Sequence, residues 1–175
     1  MPRLHTVGHG TLDAQTFSAL LRGAGIGSLV DVRTAPGSRR LPHFGRLEME
    51  HWVPDAGVAY RWEHDLGGFR KPTAESLNLG LRNASFRGYA DYMREPSFRN
   101  ALAGVLDDAL RGPTVVMCSE SVWWRCHRRL IADYVVLCIG GGEVVHLMHD
   151  GRVEPHRLTD GVRRDGDLLR YDAVA

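Results

Sequence analysis

The side chains best able to do chemistry lie together in the run Val115-Val116-Met117-Cys118-Ser119-Glu120-Ser121-Val122-Trp123-Trp124-Arg125-Cys126-His127-Arg128-Arg129. The run opens as an apolar stretch suited to a buried strand. It breaks into a segment with a thiol, a carboxylate and two indoles, then closes on an Arg-Cys-His-Arg-Arg cluster at the start of an apolar helix. Strand, polar loop and helix N-terminus is a common way to build a binding site in an α/β protein. Cys118 reads as a small buried hydrophobe, or as a nucleophile activated by nearby arginines and a helix N-terminus. Glu120 reads as a general acid/base, or as the ion-pair partner of Arg33, Arg125 or Arg128. Six residues, Ser119 to Trp124, separate Cys118 from Arg125. That is one more than a phosphatase-type loop carries, which disfavours that chemistry.

Further groups come from other parts of the chain. Asp31 is either a second carboxylate of a hydrolytic site or the anchor of Arg33. Arg33, Arg125, His127 and Arg128 are candidate anion contacts, helped by the unpaired N–H groups of a helix start near Cys126. Only one of Arg128 and Arg129 can face the site. Ser38 and Arg39 could add phosphate contacts, and His9 could join from the first strand. Trp123 and Trp124 are either packing residues or platforms that stack on a base or sugar. Cys118, Cys126 and His127 also offer soft metal ligands. However, they lack the compact C-x-x-C spacing of structural zinc sites. On a continuous helix, adjacent Cys126 and His127 would diverge by about 100°. No metal is therefore expected, and no cofactor is singled out.

These residues need a scaffold. Leu4 to Gly8 and Ser28 to Val32 read as strands flanking an amphipathic helix from Leu12 to Ala24, capped by Thr11 or Asp13. Such a β-α-β succession implies a parallel pair with a right-handed crossover. A short helix follows over Leu47 to Trp52, then a strand over Val58 to Trp62. The irregular stretch His64 to Arg82 has the length of a binding loop. Helices are predicted over Gly88 to Met93, from Pro96 to the Gly112-Pro113 break, and over Cys126 to Ile139. Strands are predicted over Thr114 to Met117 and Glu143 to Met148. Val153 to Leu158 and Leu168 to Tyr171 are expected to form a terminal hairpin. The reading is one α/β domain over 1–175, with a mainly parallel sheet flanked by helices. Ligands collect outside the carboxyl ends of such strands. That rule brings His9, Asp31, Arg33, Cys118 and Glu120 to one rim, with His146 and His149 as further members.

Composition excludes little. A net charge of +1 gives no global argument for nucleic-acid binding. Lys71 is the only lysine, so charge recognition falls to guanidinium forks. No apolar run reaches the roughly 18 residues of a membrane span. The first apolar segment is interrupted by His5, His9 and Asp13, unlike a signal peptide. The cytoplasm is the expected compartment, and its three cysteines are expected to be reduced.

The chain resembles the prokaryotic family known as domain of unknown function 488. The motifs that carry this are Thr6-Val7-Gly8-His9-Gly10, Val30-Asp31-Val32-Arg33, Pro36 with Ser38-Arg39, Leu66-Gly67-Gly68, Gly88-Tyr89-Ala90-Asp91-Tyr92-Met93, Met117-Cys118-Ser119-Glu120 and Arg125-Cys126-His127-Arg128. Val144-Val145-His146 and Pro155-His156 also fit. Ser119 stands where the family usually has Ala. The resemblance implies an α/β fold and a pocket around the Asp-Val-Arg, Cys-x-Glu and Cys-His-Arg segments, but no activity. The leading expectation is a hydrolase or transferase acting on a small anionic or nucleotide-like substrate at a Cys/Glu/Arg pocket. The alternatives are a non-catalytic nucleotide- or nucleic-acid-binding module, and a Cys/His metalloprotein. Oligomeric state is left open.

Overall fold

In a computed structural model describing residues 1–172, apolar strands alternate with amphipathic helices to form one α/β domain. The parallel strands are β1 (Arg3–Gly8), β2 (Ser28–Asp31), β3 (Ala59–Trp62), β4 (Thr114–Cys118) and β5 (Glu143–Leu147). A short antiparallel strand, β6 (Val153–Pro155), closes the edge in the order β3-β2-β4-β1-β5-β6. The helices are α1 (Ala14–Gly23), α2 (Arg46–Asp55), α3 (Ala84–Tyr92), α4 (Pro96–Arg111) and α5 (Arg128–Cys138). No helix among the described residues is long and apolar enough to cross a membrane.

Local chemistry sets these boundaries. Asp13 caps α1 by accepting from the Thr16 N–H at 2.7 Å. The left-handed Gly25 (φ 68°) follows its end. Asn83 caps α3 through the Phe86 N–H, so that helix starts at Ala84 rather than the expected Gly88. Pro96 opens α4, where its missing N–H costs nothing.

Side chains alternate across β4, as a strand's two-residue period requires. Val115 and Met117 face the layer of α1 and α2, with Phe17, Leu21, Met49 and Val53. Val116 and Cys118 face the layer of α3, α4 and α5, with Tyr89, Phe98, Leu102 and Ile131. This alternation turns Cys118 toward the segment that carries Cys126.

The expected C-terminal hairpin exists, but one of its strands differs. β8 (Leu168–Tyr171) pairs with β7 (Val162–Asp165), not with the residues around Val153. Val153–Pro155 instead pairs with β5, where it covers the open edge of the main sheet.

Candidate functional site

The carboxyl ends of β1, β2 and β4 are tied into one rim by backbone hydrogen bonds. The N–H groups of His9, Gly10 and Val32 donate to the carbonyls of Cys118, Ser119 and Met117, each at 2.9 Å. Above this rim lies a cavity of about 660 Å³. Its wall includes His9, Arg33, Cys118 and Glu120, so four of the five residues assigned to one rim do converge. Gly8 makes the convergence possible. A Cβ there would lie 1.8 Å from the Glu120 carbonyl oxygen. Gly8→Ala is expected to cost about 1–3 kcal/mol, the scale of overpacking, measurable by urea unfolding, and to displace the Cys118–Glu120 segment.

Asp31 lies beneath the wall and does not line the cavity. Its carboxylate takes Arg33 Nε at 2.8 Å and Nη2 at 2.5 Å, and Tyr60 Oη at 2.8 Å. Of the two readings of Asp31, this geometry fits the anchor of Arg33 rather than a second carboxylate open to the cavity. Both oxygens are committed, and its side chain has no solvent access. This fork leaves Arg33 Nη1 facing His9 Nε2 at 3.4 Å. The His9 ring stacks on Phe44 with centroids 4.0 Å apart. Its Nδ1 donates to the Gly10 carbonyl at 2.8 Å, leaving Nε2 as the acceptor toward Arg33. Burial, with Arg33 adding to it, lowers the His9 pKa to about 4, so the ring is neutral at neutral pH.

The cavity floor holds a thiol-imidazole cluster. His127 Nδ1 stands 4.0 Å from Cys118 Sγ and 3.7 Å from Cys126 Sγ. His127 Nε2 lies 3.0 Å from the Val32 carbonyl, which can only accept. The ring proton therefore sits on Nε2, and Nδ1 presents its lone pair to the sulfurs. Arg128 Nε donates to Cys126 Sγ at 3.2 Å. Hydrogen bonding to Cys126 and burial hold the Cys118 thiol well above its ordinary range. For Cys126, burial opposes ionisation, but the bond from Cys118 and the Arg128 guanidinium draw that thiol below its ordinary range.

Adjacent Cys126 and His127 do not diverge as a continuous helix would require. A 3-10 turn over Trp123–Arg125 ends in Cys126 with extended backbone (φ −119°, ψ 150°), and α5 begins only at Arg128. That delay also moves the helix start from Cys126 to Arg128. The N–H groups of Arg129 and Leu130 donate back to the carbonyls of Cys126 and His127.

The other expected site residues separate into two groups. Ser38, Arg125 and His127 line the cavity with Glu120, whose Oε1 accepts from the Val122 N–H at 2.9 Å. Arg128, Trp123, Trp124 and Arg39 do not line it. Arg128 is 1% exposed and bonds inward to Thr6 and the Glu120 carbonyl, so it braces the loop rather than receiving an anion. Trp123 is buried and stacked on His146 at 4.1 Å, which leaves neither partner a free face in the cavity. Trp124 is half exposed and packs edge-on against Trp123. Arg39 is exposed on the loop after β2. His149 reaches the Gly8 carbonyl at 2.6 Å and supports β1 from outside the wall.

A family model described as Domain of unknown function DUF488 matches residues 13–135. The chain belongs to this family. No curated protein and no solved structure matches it. The DUF488 span contains Arg33, Cys118, Glu120, Cys126 and His127, while His9, His146 and His156 lie outside it. It also contains wall residues that sequence reasoning left unassigned: Gly68, Phe69, Phe86 and Tyr89. The Leu66-Gly67-Gly68 motif and the unusual length of the following loop were the signals for the first two. Gly68 packs on the His127 imidazole, where a Cβ would meet Nδ1 at 3.0 Å. Phe69 has a left-handed backbone (φ 56°) and is 88% exposed at the cavity wall. Strain of this kind clusters at ligand-binding segments.

Proposed function

We propose that this DUF488 protein is a hydrolase or group transferase acting on a small anionic, nucleotide-like substrate in the rim cavity. The observation that carries the reading is Arg33. Its guanidinium is held rigid by Asp31, and its Nη1 remains directed toward His9 at the cavity wall. A cation fixed before binding loses little conformational freedom when an anion arrives. Arg125, exposed on the same wall, adds a second positive charge. Phe69 and Phe86 offer apolar faces for a planar ring. Glu120 supplies the group for proton transfer, and the thiol-imidazole floor faces the reacting end. The free cysteines suit a reducing cytoplasm.

A turnover screen over nucleotides, phosphodiesters and N-glycosides tests the reading. Glu120→Gln keeps the hydrogen bond to Val122 within reach while removing the exchangeable proton. It is expected to lower turnover by about 10²–10⁴-fold, the usual range for a general acid or base. Binding without turnover in the unaltered protein would instead favour a non-catalytic nucleotide-binding module.

A further inference from the structure

We propose that Cys118, Cys126 and His127 form a Cys2His zinc site whose fourth coordination position opens into the rim cavity. The ligand atoms of these three buried residues all lie within 4.8 Å of one another. Zinc binds sulfur at about 2.3 Å and imidazole nitrogen at about 2.0–2.1 Å in a tetrahedron. Such a centre needs S···N separations of about 3.6 Å and an S···S separation of about 3.8 Å. The S···N distances are 3.7 and 4.0 Å, so these two separations close with shifts of a few tenths of an ångström, and the S···S separation lies within 4.8 Å.

The surroundings fit the same assignment. A zinc-bound histidine characteristically donates its other ring N–H to a carboxylate or backbone carbonyl, which fixes the tautomer and the ring orientation. His127 makes that contact to Val32 and turns its Nδ1 lone pair to both sulfurs. Arg128 donates to Cys126 Sγ, as outer groups do to a metal-bound thiolate. Cys118 comes from the end of a central strand and Cys126 from the turn before α5. The two sulfurs are thus fixed by separate rigid elements. All three residues reach the cavity wall, so three protein ligands leave one position for water or a substrate oxygen. This pattern of three ligands and an open position distinguishes catalytic from structural zinc. Soft thiolates with imidazole favour zinc over the oxygen-loving cations. Two thiolates also balance its charge, and their protons pass to solvent as the metal binds.

The inference concerns the same cavity as the proposed reaction, but it is read by metal content. Absent turnover and absent metal are therefore separate outcomes. The test uses the full chain, expressed without a histidine tag and kept reduced, with metal content measured after dialysis against metal-free buffer. The expected result is one zinc per chain. Exchange with cobalt is expected to give the intense visible bands of tetrahedral coordination and a thiolate-to-cobalt charge-transfer band in the near ultraviolet. Cys126→Ser and His127→Gln, checked for folding by circular dichroism, are expected to lose the charge-transfer intensity or shift it. Cys138→Ser, in which the remaining cysteine is removed, leaves it unchanged. Should the variants unfold, the unaltered protein still decides: zinc should slow modification of two thiols per chain at Cys118 and Cys126. Folded, reduced protein that takes up neither zinc nor cobalt overturns the proposal, as does binding retained undiminished in both ligand variants. A Cys118–Cys126 disulfide that yields no metal site on reduction also overturns it, and marks a redox pair.

Discussion

Asp31→Ala is expected to lower the unfolding free energy by about 3–5 kcal/mol, the usual cost of removing one partner from a buried ion pair. Asp31 is wholly buried, and Arg33 is 7% exposed. The guanidinium would keep its charge, because arginine does not deprotonate in proteins. It would lose Nε and Nη2 contacts at 2.8 and 2.5 Å, and the Arg33 backbone N–H would lose its acceptor at 3.1 Å. Tyr60 Oη would lose its acceptor as well. The double variant Asp31→Ala/Arg33→Met distinguishes this cause from a general packing defect. Replacing both charges with apolar groups is often close to neutral, so the double variant should be the more stable of the two in urea titrations. It should still fail to bind an anion. A double variant no more stable than the single one would show that the uncompensated charge is not what destabilises Asp31→Ala.

Asp133→Ala is expected to cost at least about 3 kcal/mol, since each buried donor left without an acceptor costs about 1–3 kcal/mol. The Asp133 carboxylate accepts from His156 Nε2 at 2.9 Å, the Thr159 N–H at 3.0 Å, Thr159 Oγ1 at 2.7 Å and Tyr171 Oη at 2.9 Å. It thereby fastens α5 to the segment after β6 and to β8. The proton order continues inward. With Nε2 donating to Asp133, His156 Nδ1 accepts from His146 Nε2 at 2.9 Å, and His146 Nδ1 accepts from Thr6 Oγ1 at 2.7 Å. Arg128 Nη1 donates to the same hydroxyl at 3.4 Å, so the chain of bonds ends beside the cavity floor. Burial, followed by His156 and Arg128, lowers the His146 pKa to about 3. The unfolded chain binds that proton near pH 6.5. Between these values the unfolded state holds more protons, so stability rises with pH. The contribution of neutral His146 is complete above about pH 6.5 and is lost progressively toward pH 3. Thermal unfolding followed from pH 7 to pH 4 should show this slope, and His146→Asn should flatten it.

The rim was legible in the sequence because its members are strand ends. Gly8-His9, Asp31-Val32-Arg33 and Cys118-Ser119-Glu120 each follow a short apolar run. Parallel pairing through helical crossovers leaves such ends on the same edge of the sheet. The floor was less legible. A helix beginning at Cys126 turns His127 away from the thiol. The 3-10 turn at Trp123–Arg125 instead leaves Cys126 extended and brings both residues to Cys118. No periodicity marks so short a turn. Arg128 is polar enough to suggest a ligand contact, yet its partners are Thr6 and the Glu120 carbonyl, which only the folded chain brings near. The role of Trp123 depends in the same way on His146 from β5. Similarly, the apolar and charged pattern around Val153 suits either a hairpin or a sheet edge. Tertiary contacts decide that choice, with β5 supplying the partner.

Anion selection through Arg33 is the central property proposed for the rim cavity. Equilibrium dialysis against a defined mixture of charged and neutral metabolites, read by mass spectrometry, measures this without a known substrate. The unaltered protein should enrich anions that carry a planar ring. Arg125→Gln, at an exposed position, should weaken the enrichment, and Arg33→Gln, checked for folding, should abolish it. Arg39→Gln, outside the cavity, should leave it intact. Enrichment of neutral compounds alone, or anion enrichment unchanged in Arg33→Gln, would contradict the assignment of this cavity.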